Sequence, residues 1–571
     1  MTADENQYSL SSEAPKIISI LGALLLASVA IATAAAPTVT ASALLGSAKF
    51  APSLERPIGW RGDGSGRYPG ATPPTSWERQ TNGAGYAAKG IIWMTPLPNS
   101  SAATPIIVGD RIFLTSEVFD LVCVDKQTGR VLWIRSNPEF EGLSEEDRKT
   151  NSAYAEKLAP LLAELAKANA DAVEALNVRL PISVTAAPTR SPEPALKRKR
   201  DLDKKIQDEQ LAIDKKGFAR YWGQAVFGFS GQTPTSDGKH ICVFFTTGVT
   251  ACYDLDGNRK WITHGRGGGS EHGNFASPLL GGNRLVVWAN EMRAYEVDSG
   301  RLAWTNAAKA FNTYGSLFRV ESGGELVAAF QWGFFTRVRD GQAIWDKGAF
   351  GDSVATPIVE GDTIFAHGGY PKYNDKTKGV KAFKIPASTG SGKLTVAYEL
   401  KEQWADDELT VDKQKNPFDR GYVASPLYVE GLIYQLTQGG GLVVNDAVTG
   451  AVVYRKVLPL KPRTQYWNWA GCSSSPVGNT ARSHEITWRN PRTARNRHRW
   501  FPRRSSKERG YITEHLAISA VSGRSDANLR ATSGGRRGVE PGRRRVGGGS
   551  LCPAGFAGIP SHTRKPVRLA R

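Results

Sequence analysis

Cys123-Val-Asp-Lys-Gln-Thr-Gly129-Arg-Val-Leu-Trp133 is the stretch of sequence that decides the fold, because it recurs along the chain. Four further copies keep glycine at the seventh position and an aromatic residue at the eleventh. These copies are residues 251–261, 294–304, 335–345 and 444–454. The pattern predicts two short strands joined by a tight turn, in which Asp, Ser or Thr bonds the turn backbone and glycine takes a positive φ.

The aromatic residue four positions after the glycine is expected to leave the hairpin as an anchor for a neighbouring sheet. We therefore predict a set of structural docking residues, with one glycine and one aromatic residue in each copy. The set consists of Gly129 and Trp133, Gly257 and Trp261, Gly300 and Trp304, Gly341 and Trp345, and Gly450 and Tyr454.

A second phrase, in which Ser or Thr is followed by Pro and an apolar run, recurs beside the first. Proline at the first position of a strand costs no ladder hydrogen bond. A period of about 40–50 residues with four strands per period predicts an all-β β-propeller with four-stranded blades. A β-sandwich with coincidental turns is the less favoured alternative. The phrase begins at Thr104, Thr233, Ser277, Thr356, Ser425 and Ser475.

Residues 141–216 interrupt one period and have a different pattern. Ser144 followed by three acidic residues predicts the start of a capped helix. Leucines from Leu158 to Leu176 then recur at helical spacing, and a second, charged helix follows a proline-rich break. We predict a helical hairpin inserted into an early blade. The basic run 197–200 is assigned to a solvated helix face, because acidic residues follow it directly.

The N-terminus contains an uncharged run, residues 17–36, whose strongly apolar part is about as long as a signal-peptide core. Small-residue cleavage patterns follow at 34–36 and 41–43. We predict an apolar helix that serves as a signal peptide or as a retained membrane anchor. Either role places the body of the protein in the periplasm or cell envelope. A buried core helix is the remaining alternative.

The net charge of +19 is concentrated in the last part of the chain. Residues 481–571 hold 21 basic residues against 5 acidic ones, so the rest of the protein is nearly neutral. The repeat also stops near residue 478. An Arg-rich disordered arm for nucleic acid is one explanation, and a shifted reading frame is the other. The abrupt end inside a repeat favours the second, and we expect no nucleic-acid partner.

The predicted organisation has five parts along the chain. Residues 1–43 form the signal peptide or membrane anchor, 44–140 the propeller entry and first blade, and 141–216 the helical insertion. Residues 217–478 form further propeller blades, and 479–571 the Arg-rich tail.

The repeated phrase resembles the tryptophan-docking motif of pyrroloquinoline-quinone-type propellers, and Trp60-Arg61-Gly62 resembles their entry segment. The resemblance covers about residues 58–478 and implies seven or eight blades, of which one or two are not visible in the sequence. The chain is most similar to the exported, quinoprotein-like repeat group that includes an outer-membrane assembly lipoprotein. This similarity implies a monomeric, non-catalytic scaffold or binding protein with a protein partner at the cell envelope.

The alternative is a quinone-dependent dehydrogenase. In that part of the family, Ca²⁺ binds the quinone with Glu, Asn and Asp ligands, a further Asp is catalytic, and many members carry two adjacent cysteines. This chain has no adjacent cysteines, and none of its segments matches those carboxylates. We therefore predict no catalytic, cofactor-binding or metal-binding residue and no cofactor. Quinone and calcium belong to the alternative alone.

Two further clusters invite a metal and are explained more simply. Asp254-Leu-Asp256-Gly-Asn258 resembles a calcium loop, but it lies in the repeated turn and lacks the distal Glu. His264, Glu271 and His272 lie in a glycine-rich stretch that we assign to a loop between blades. The spacing of these residues and their neighbours does not supply a fitting set of three metal ligands.

Cys242 and Cys252 flank a predicted hairpin. They could pair as a disulfide in an oxidising compartment, but two small buried apolar residues are the favoured interpretation.

Overall fold

The computed structural model describes the residues on which the fold and its site are built. These are 43–73, 78–82, 85–89, 92–178, 192–219, 228–265, 275–289, 291–306, 314–345, 348–350, 355–367, 380–390, 394–399, 424–436, 441–457 and 515–518. The chain forms two compact units, Met1–Ser522 and Gly523–Arg571. Every described residue belongs to the first unit. The predicted N-terminal apolar helix and most of the predicted tail lie outside the described residues.

The described strands form six four-stranded antiparallel sheets and two strand pairs. One pair joins β1 (Glu78–Asn82) to β2 (Gly85–Lys89), and the other joins β3 (Trp93–Pro96) to the last strand, β28 (His515–Ile518).

We name the four-stranded sheets A to F. Sheet A holds β4 (Ile106–Val108), β5 (Arg111–Ser116), β6 (Asp120–Asp125) and β7 (Val131–Ser136). Sheet B holds β8 (Thr235–Ser236), β9 (His240–Phe244), β10 (Val249–Asp254) and β11 (Arg259–His264). Sheet C holds β12 (Leu279–Gly281), β13 (Arg284–Trp288), β14 (Met292–Glu296) and β15 (Leu302–Asn306). Sheet D holds β16 (Phe318–Ser322), β17 (Glu325–Phe330), β18 (Phe334–Arg337) and β19 (Ala343–Ile344). Sheet E holds β20 (Ile358–Glu360), β21 (Thr363–His367), β22 (Val380–Lys384) and β23 (Thr395–Glu399). Sheet F holds β24 (Leu427–Val429), β25 (Leu432–Leu436), β26 (Gly441–Asp446) and β27 (Val452–Val457).

In each of these sheets, every strand pairs with the next strand along the chain, so each sheet is an antiparallel meander. The middle strands are almost fully buried on both faces, as in β6 and β10. A strand buried on both faces needs a neighbouring layer on each side. The prediction of an all-β fold made of four-stranded units is therefore confirmed, and the arrangement is propeller-like.

A chain of hydrogen bonds joins the starts of five successive sheets. The backbone N–H of Thr233 donates to the Ser277 hydroxyl (3.1 Å), and the N–H of Ser277 donates to the Ser316 hydroxyl (3.3 Å). The N–H of Ser316 donates to Thr356 (2.8 Å), and that of Thr356 donates to Ser425 (3.1 Å). Because all five residues are buried, each hydroxyl satisfies a backbone donor that water cannot reach. This explains why Ser or Thr, rather than any small residue, opens the sheets.

Sheet D shows what the sequence pattern could not reveal. Its opening residue is Ser316, which is followed by Leu317 rather than proline. The hydrogen bond requires only the hydroxyl, so proline is dispensable at this position. The spacing between the starts at Ser277 and Thr356 is thus divided almost evenly by Ser316.

Helices occupy the predicted insertion. A 3₁₀ turn, Glu139–Gly142, precedes α1 (Glu145–Lys149), and a π-helical turn, Tyr154–Leu158, leads into α2 (Ala159–Asn177). The last helix, α3, spans Glu193–Ile213. Asn177 holds α2 against the outer edge of sheet A, because its amide accepts from the Val131 N–H (2.9 Å) and donates to the Val131 carbonyl (2.8 Å). An exposed strand edge is thereby covered.

A fully buried ion cluster fixes α3 to sheet A. The Lys199 ammonium lies 2.7 Å from Asp120 and 2.9 Å from Asp203, and all three side chains are at most 1% exposed. The assignment of residues 197–200 to a solvated face is therefore wrong for Lys199, although Lys197 is exposed and pairs with Asp201. Helical spacing places Lys199 on the buried stripe with Leu196 and Asp203.

No helix in the described part of the chain is both long enough and apolar enough to cross a membrane.

We expect Ser277→Ala to destabilise the protein by about 1–3 kcal/mol, because the buried Thr233 N–H loses its acceptor. Ser277→Thr is the matched control, since it keeps the hydroxyl and threonine opens sheet E. Denaturant unfolding at equilibrium measures both variants. Equal stability of the alanine and threonine variants would contradict a structural role for the hydroxyl.

Candidate functional site

The entry segment, which we define as residues 43–73, lies against the first strands of several sheets. Ile58 exchanges two backbone hydrogen bonds with Ser236 in sheet B (2.8 and 2.9 Å). The Arg319 guanidinium at the start of sheet D donates to the Glu55 carbonyl (3.5 Å). The segment is thus paired to one sheet and bonded to a second.

The same segment reaches sheets E and F. Arg67 forms an ion pair with Glu360 in β20 (2.6 Å), and Arg61 donates to the carbonyl of Pro426, next to β24 (3.0 Å). The segment thus contacts the first strands of sheets B, D, E and F, and neighbouring first strands also contact one another, β8 with β12, β16 with β20 and β20 with β24. The first strand of each sheet is therefore its inner strand, and the entry segment lies between these inner strands.

Arg61 is the central residue of the segment. It is 2% exposed, has a φ of 56°, and its guanidinium lies over the Trp60 ring at 5.2 Å. A Cβ at Gly66 would lie 2.5 Å from the Arg61 Nε, so glycine is required beside it. Burial raises the pKa of Tyr68 to about 12, although the nearby Arg61 charge opposes that shift.

A cavity of about 320 Å³ lies between the entry segment and the starts of sheets B, C and D. Its walls are apolar and buried, with exposures between 1% and 7%. Three exposed carboxylates and two arginines complete the lining. The buried wall residues are Ile58, Trp60, Leu280, Leu317 and Phe318, and the charged residues are Glu55, Asp63, Glu321, Arg56 and Arg319.

The cavity residues do not fit a quinone held by calcium. Calcium takes six to eight oxygen ligands, whereas the cavity offers three carboxylates, two arginines lie beside them, and each carboxylate already makes a contact with the chain. Glu55 accepts from the Ser53 hydroxyl (2.7 Å), Asp63 accepts from the Ser65 N–H (2.9 Å), and Glu321 pairs with Arg319 (2.7 Å). We derive no step through quinone or calcium at this cavity.

The predicted docking residues meet across the seams between sheets, where the indole of one sheet lies on the glycine of the next. A Cβ added at the glycine would lie 2.5–2.8 Å from the indole ring, which is too close for any side chain. The φ values of these glycines, 70–82°, also favour glycine. The pairs are Trp93 on Gly129, Trp133 on Gly257, Trp261 on Gly300 and Trp304 on Gly341.

Hydrogen bonds orient the indoles. The indole N–H of Trp261 donates to the Val297 carbonyl (2.7 Å) and that of Trp304 to the Val338 carbonyl (2.8 Å), in each case three residues before the docked glycine. Trp93 makes the same bond to Lys126 (3.0 Å). A buried indole usually finds such an acceptor. The contact is therefore directional as well as apolar.

A third contact comes from the residue two positions after the tryptophan. Arg135 donates from Nε to the Gly257 carbonyl (2.6 Å), and the Asn306 amide donates to the Gly341 carbonyl (3.0 Å). Thr95 donates to the Gly129 carbonyl in the same way. These residues were not predicted from the sequence. Three different side chains donate to the carbonyl of the docked glycine, and they share only their position two residues after the tryptophan.

Trp133 departs from this arrangement for a visible reason. Within the described residues, its indole N–H has no hydrogen-bond partner. The turn of sheet B is one residue shorter than the others, since the Gly257 N–H bonds the carbonyl three residues back, at Asp254, rather than four back. The carbonyl that accepts from the other indoles is therefore displaced.

The last two predicted pairs are placed differently. In sheet D, Phe335 pairs with Ile344 rather than with Trp345, and Trp345 takes a φ of 57° and packs edge-on against Phe335 at 4.9 Å. In sheet F, Gly450 has a φ of 72° in its turn, and Tyr454 lies opposite Val444 and is 43% exposed.

Of the two suggested metal clusters, the first forms a hairpin turn, and only His264 of the second lies within the described residues. Asp254 accepts from the backbone of Asp256 and Asn258 within the hairpin turn. His264 is buried and contacts the Thr247 carbonyl (3.0 Å), while Glu271 and His272 lie outside the described residues. The described residues contain no group of three or more potential metal ligands.

Cys242 and Cys252 face each other on β9 and β10 and form a disulfide, with a Cα–Cα distance of 4.1 Å.

Glu117 is a partly buried residue whose carboxylate holds the chain where it returns from the insertion. It accepts hydrogen bonds from the N–H groups of Phe229 and Ser230 and from the Ser230 hydroxyl (2.7 Å). Burial nevertheless raises its pKa to about 7, because desolvation outweighs these bonds. Burial likewise raises the pKa of Asp203 to about 7, against the opposing charge of Lys199.

Comparison with known proteins identifies the repeat. Residues 185–320 match the PQQ_2 family model, described as outer membrane protein assembly factor BamB. The match confirms the predicted resemblance to quinoprotein-like repeat proteins. No curated protein sequence matches the chain.

Solved structures of three kinds are similar at low identity. BamB from Moraxella catarrhalis is 14% identical over 38% of this chain and 59% of its own, with a TM-score of 0.26. A europium-containing methanol dehydrogenase is 13% identical over 42% of this chain and 53% of its own, with a TM-score of 0.27. The computationally designed Ika8 protein is 8% identical over 64% of this chain and 90% of its own, with a TM-score of 0.29. The chain therefore spans less than two thirds of the BamB structure.

We expect Gly300→Ala to destabilise the protein by about 3 kcal/mol or more, because the added methyl group strains a positive φ and collides with the Trp261 ring. The control is Gly324→Ala. Gly324 has a similar φ of 76° but no atom within 4 Å of the added Cβ, so its cost should stay near 1 kcal/mol. Thermal and denaturant unfolding compare the two variants. Equal losses would show that the indole contact adds nothing.

We expect the free energy of unfolding to fall as pH rises from about 4.5 to 7.5. A raised carboxyl pKa means that the folded protein binds a proton that the unfolded chain releases, so the stability is present below pH 4.5 and is lost through pH 7. Glu117→Gln keeps an acceptor for Phe229 and Ser230. It should reduce the total loss of stability over this pH range by on the order of 3 kcal/mol. Unfolding at several pH values measures it. The exposed Glu146→Gln should keep the wild-type slope, and an unchanged slope in Glu117→Gln would refute the assignment.

Proposed function

We propose that this protein is an exported, non-catalytic scaffold of the quinoprotein-like repeat type, which holds other proteins at the cell envelope. The observation that carries the proposal is the position of the entry segment. β-Propellers are built around a central channel, and here Arg61 and its neighbours lie between the inner strands and bond several of them. Partners would therefore meet the protein at its rim and surface.

The family match supports the kind of partner. The matching model carries the description of an outer-membrane protein assembly factor. We propose that the partners of this chain are proteins of outer-membrane protein assembly, and that the protein acts as a monomer within such an assembly.

The disulfide supports the compartment. Cys242–Cys252 is a bond of a kind that persists in the periplasm and outside the cell and is rare in the cytosol. We propose that residues 1–43 direct export, either as a cleaved signal peptide or as a membrane anchor.

The fold proposed for the complete protein is a propeller of seven or eight blades. Support comes from β3, whose Trp93 docks on sheet A as the last-strand tryptophans of sheets A to C dock on their neighbours. β3 therefore takes the place of the outer strand of a further sheet, and β28 is its inner neighbour.

We expect a photo-crosslinking residue placed at Asp63, beside the cavity, to capture envelope proteins in living cells. The full chain, expressed in its own host or a close relative, is irradiated, and captured proteins are identified by mass spectrometry. Leu302 is the control position, because it is also exposed (49%) but lies on the outer strand of sheet C. Outer-membrane assembly proteins captured from Asp63 and not from Leu302 would support the proposal.

Two outcomes would overturn the proposal. One is capture of no envelope protein from any position on the rim. The other is dehydrogenase behaviour: added pyrroloquinoline quinone and Ca²⁺ would produce a bound chromophore and dye-linked alcohol oxidation in the purified protein.

A further inference from the structure

The cavity beside the entry segment is amphipathic in a way that selects its ligand. Its deep wall is formed by Leu280, Leu317 and Phe318, which are at most 3% exposed. Its charged groups lie at the exposed edge. At about 320 Å³ it is at the lower end of the range for small-molecule pockets. This volume suits one long side chain or a ligand of that size.

The charges at the edge favour a cation. Glu55, Asp63 and Glu321 supply three carboxylates, against the guanidinium groups of Arg56 and Arg319. Arg319 is bound to Glu321 at 2.7 Å and to the Glu55 carbonyl. The edge therefore carries one net negative charge.

Arg56 is also held by the chain itself. Its guanidinium donates to the Ala43 carbonyl (3.0 Å) and lies over the Phe50 ring at 4.9 Å. Both cations of the edge are thus committed to internal contacts. The carboxylates retain acceptor capacity, because Glu55 accepts one side-chain hydrogen bond and Asp63 one backbone hydrogen bond, whereas a carboxylate has about four lone-pair sites.

Aromatic rings add a second preference for a cation. Trp60 and Phe50 both line the cavity, and each already carries an arginine of the chain over its ring. Phe318 is the third aromatic group in the lining. Alkyl stems with a charged head bury the stem along apolar surface and keep the head near water. An apolar wall beneath a carboxylate edge matches that chemistry.

We propose that this cavity binds the basic side chain, arginine or lysine, of a partner polypeptide. The stem lies along Leu280, Leu317 and Phe318, and the head group reaches Glu55 and Asp63. This site deepens the proposed scaffold function, on which it rests, by assigning the chemistry that the partner presents to it.

The test uses small probes, so that it does not depend on knowing the partner. N-acetyl-argininamide is titrated into the full chain and followed by ligand-detected NMR, with N-acetyl-citrullinamide as the neutral probe of nearly the same shape. We expect the arginine probe to bind at least about tenfold more tightly, since a charge-assisted hydrogen bond is roughly twice as strong as a neutral one.

Two variants locate the binding. Glu55→Gln combined with Asp63→Asn removes two charges and should weaken the arginine probe at least about fivefold, while Glu146→Gln, an exposed acid on α1, should not. Leu279→Trp fills the cavity from its half-buried edge and should abolish binding of both probes. Melting curves check that each variant is folded. If the tryptophan variant does not fold, the double variant carries the test.

Three results would overturn the inference: equal binding of the two probes, wild-type binding in the double variant, or no binding at about 10 mM probe. Its failure is distinguishable from failure of the proposed function. Envelope proteins crosslinked from Asp63 with no affinity for the arginine probe would leave the scaffold standing and remove this site.

Discussion

The contact between an indole ring and a glycine is the constraint on which the rest of this structure depends. At each docked seam the ring occupies the volume that a Cβ would need, so the glycine is fixed by its neighbour as well as by its own positive φ. A residue under two independent constraints tolerates no substitution. This explains why glycine is kept in the four turns on which an indole docks, at Gly129, Gly257, Gly300 and Gly341, while the three positions after it vary.

The sheets are joined at two levels, and the entry segment uses the inner one. The outer level is the indole contact, and the inner level is the chain of hydroxyls from Ser277 to Ser425. Charges reinforce some seams: Arg111 reaches Asp256 (2.7 Å), and His240 reaches Asp298 (3.4 Å). Because at least one of the two levels bonds each sheet to the next, the inner strands form a wall against which residues 43–73 can be held.

The sequence predicted the features that local chemistry dictates and missed those that depend on a neighbour. Glycine turns and strand pairs follow from short-range patterns, and the structure places them where the periodicity indicates. The start of sheet E at Thr356 was predicted, but its last hairpin was not, because Ala382 pairs with Tyr398, sixteen residues on, and the eleven-residue phrase is absent. In sheet D, Ile344 rather than Trp345 lies opposite Phe335. β19 ends at Ile344, and Trp345 follows it with a positive φ, which the repeated phrase does not reveal. The burial of Lys199 requires Asp120 from another element, which no helical pattern can show.

The distribution of ionisable groups connects this architecture to its proposed role. In the described part of the chain, three of the buried ionisable groups, Asp120, Lys199 and Asp203, hold the insertion to sheet A, and the partly buried Glu117 holds its return segment. Breaking such a buried group away from its partners is costly, so these residues are tied to structure. For the exposed carboxylates of the cavity edge this cost is small, because each is held by only one or two contacts at the surface. The buried charged groups at sheet A thus stabilise the fold, whereas the exposed carboxylates beside the apolar cavity can change partners. This arrangement is suited to recognising another polypeptide.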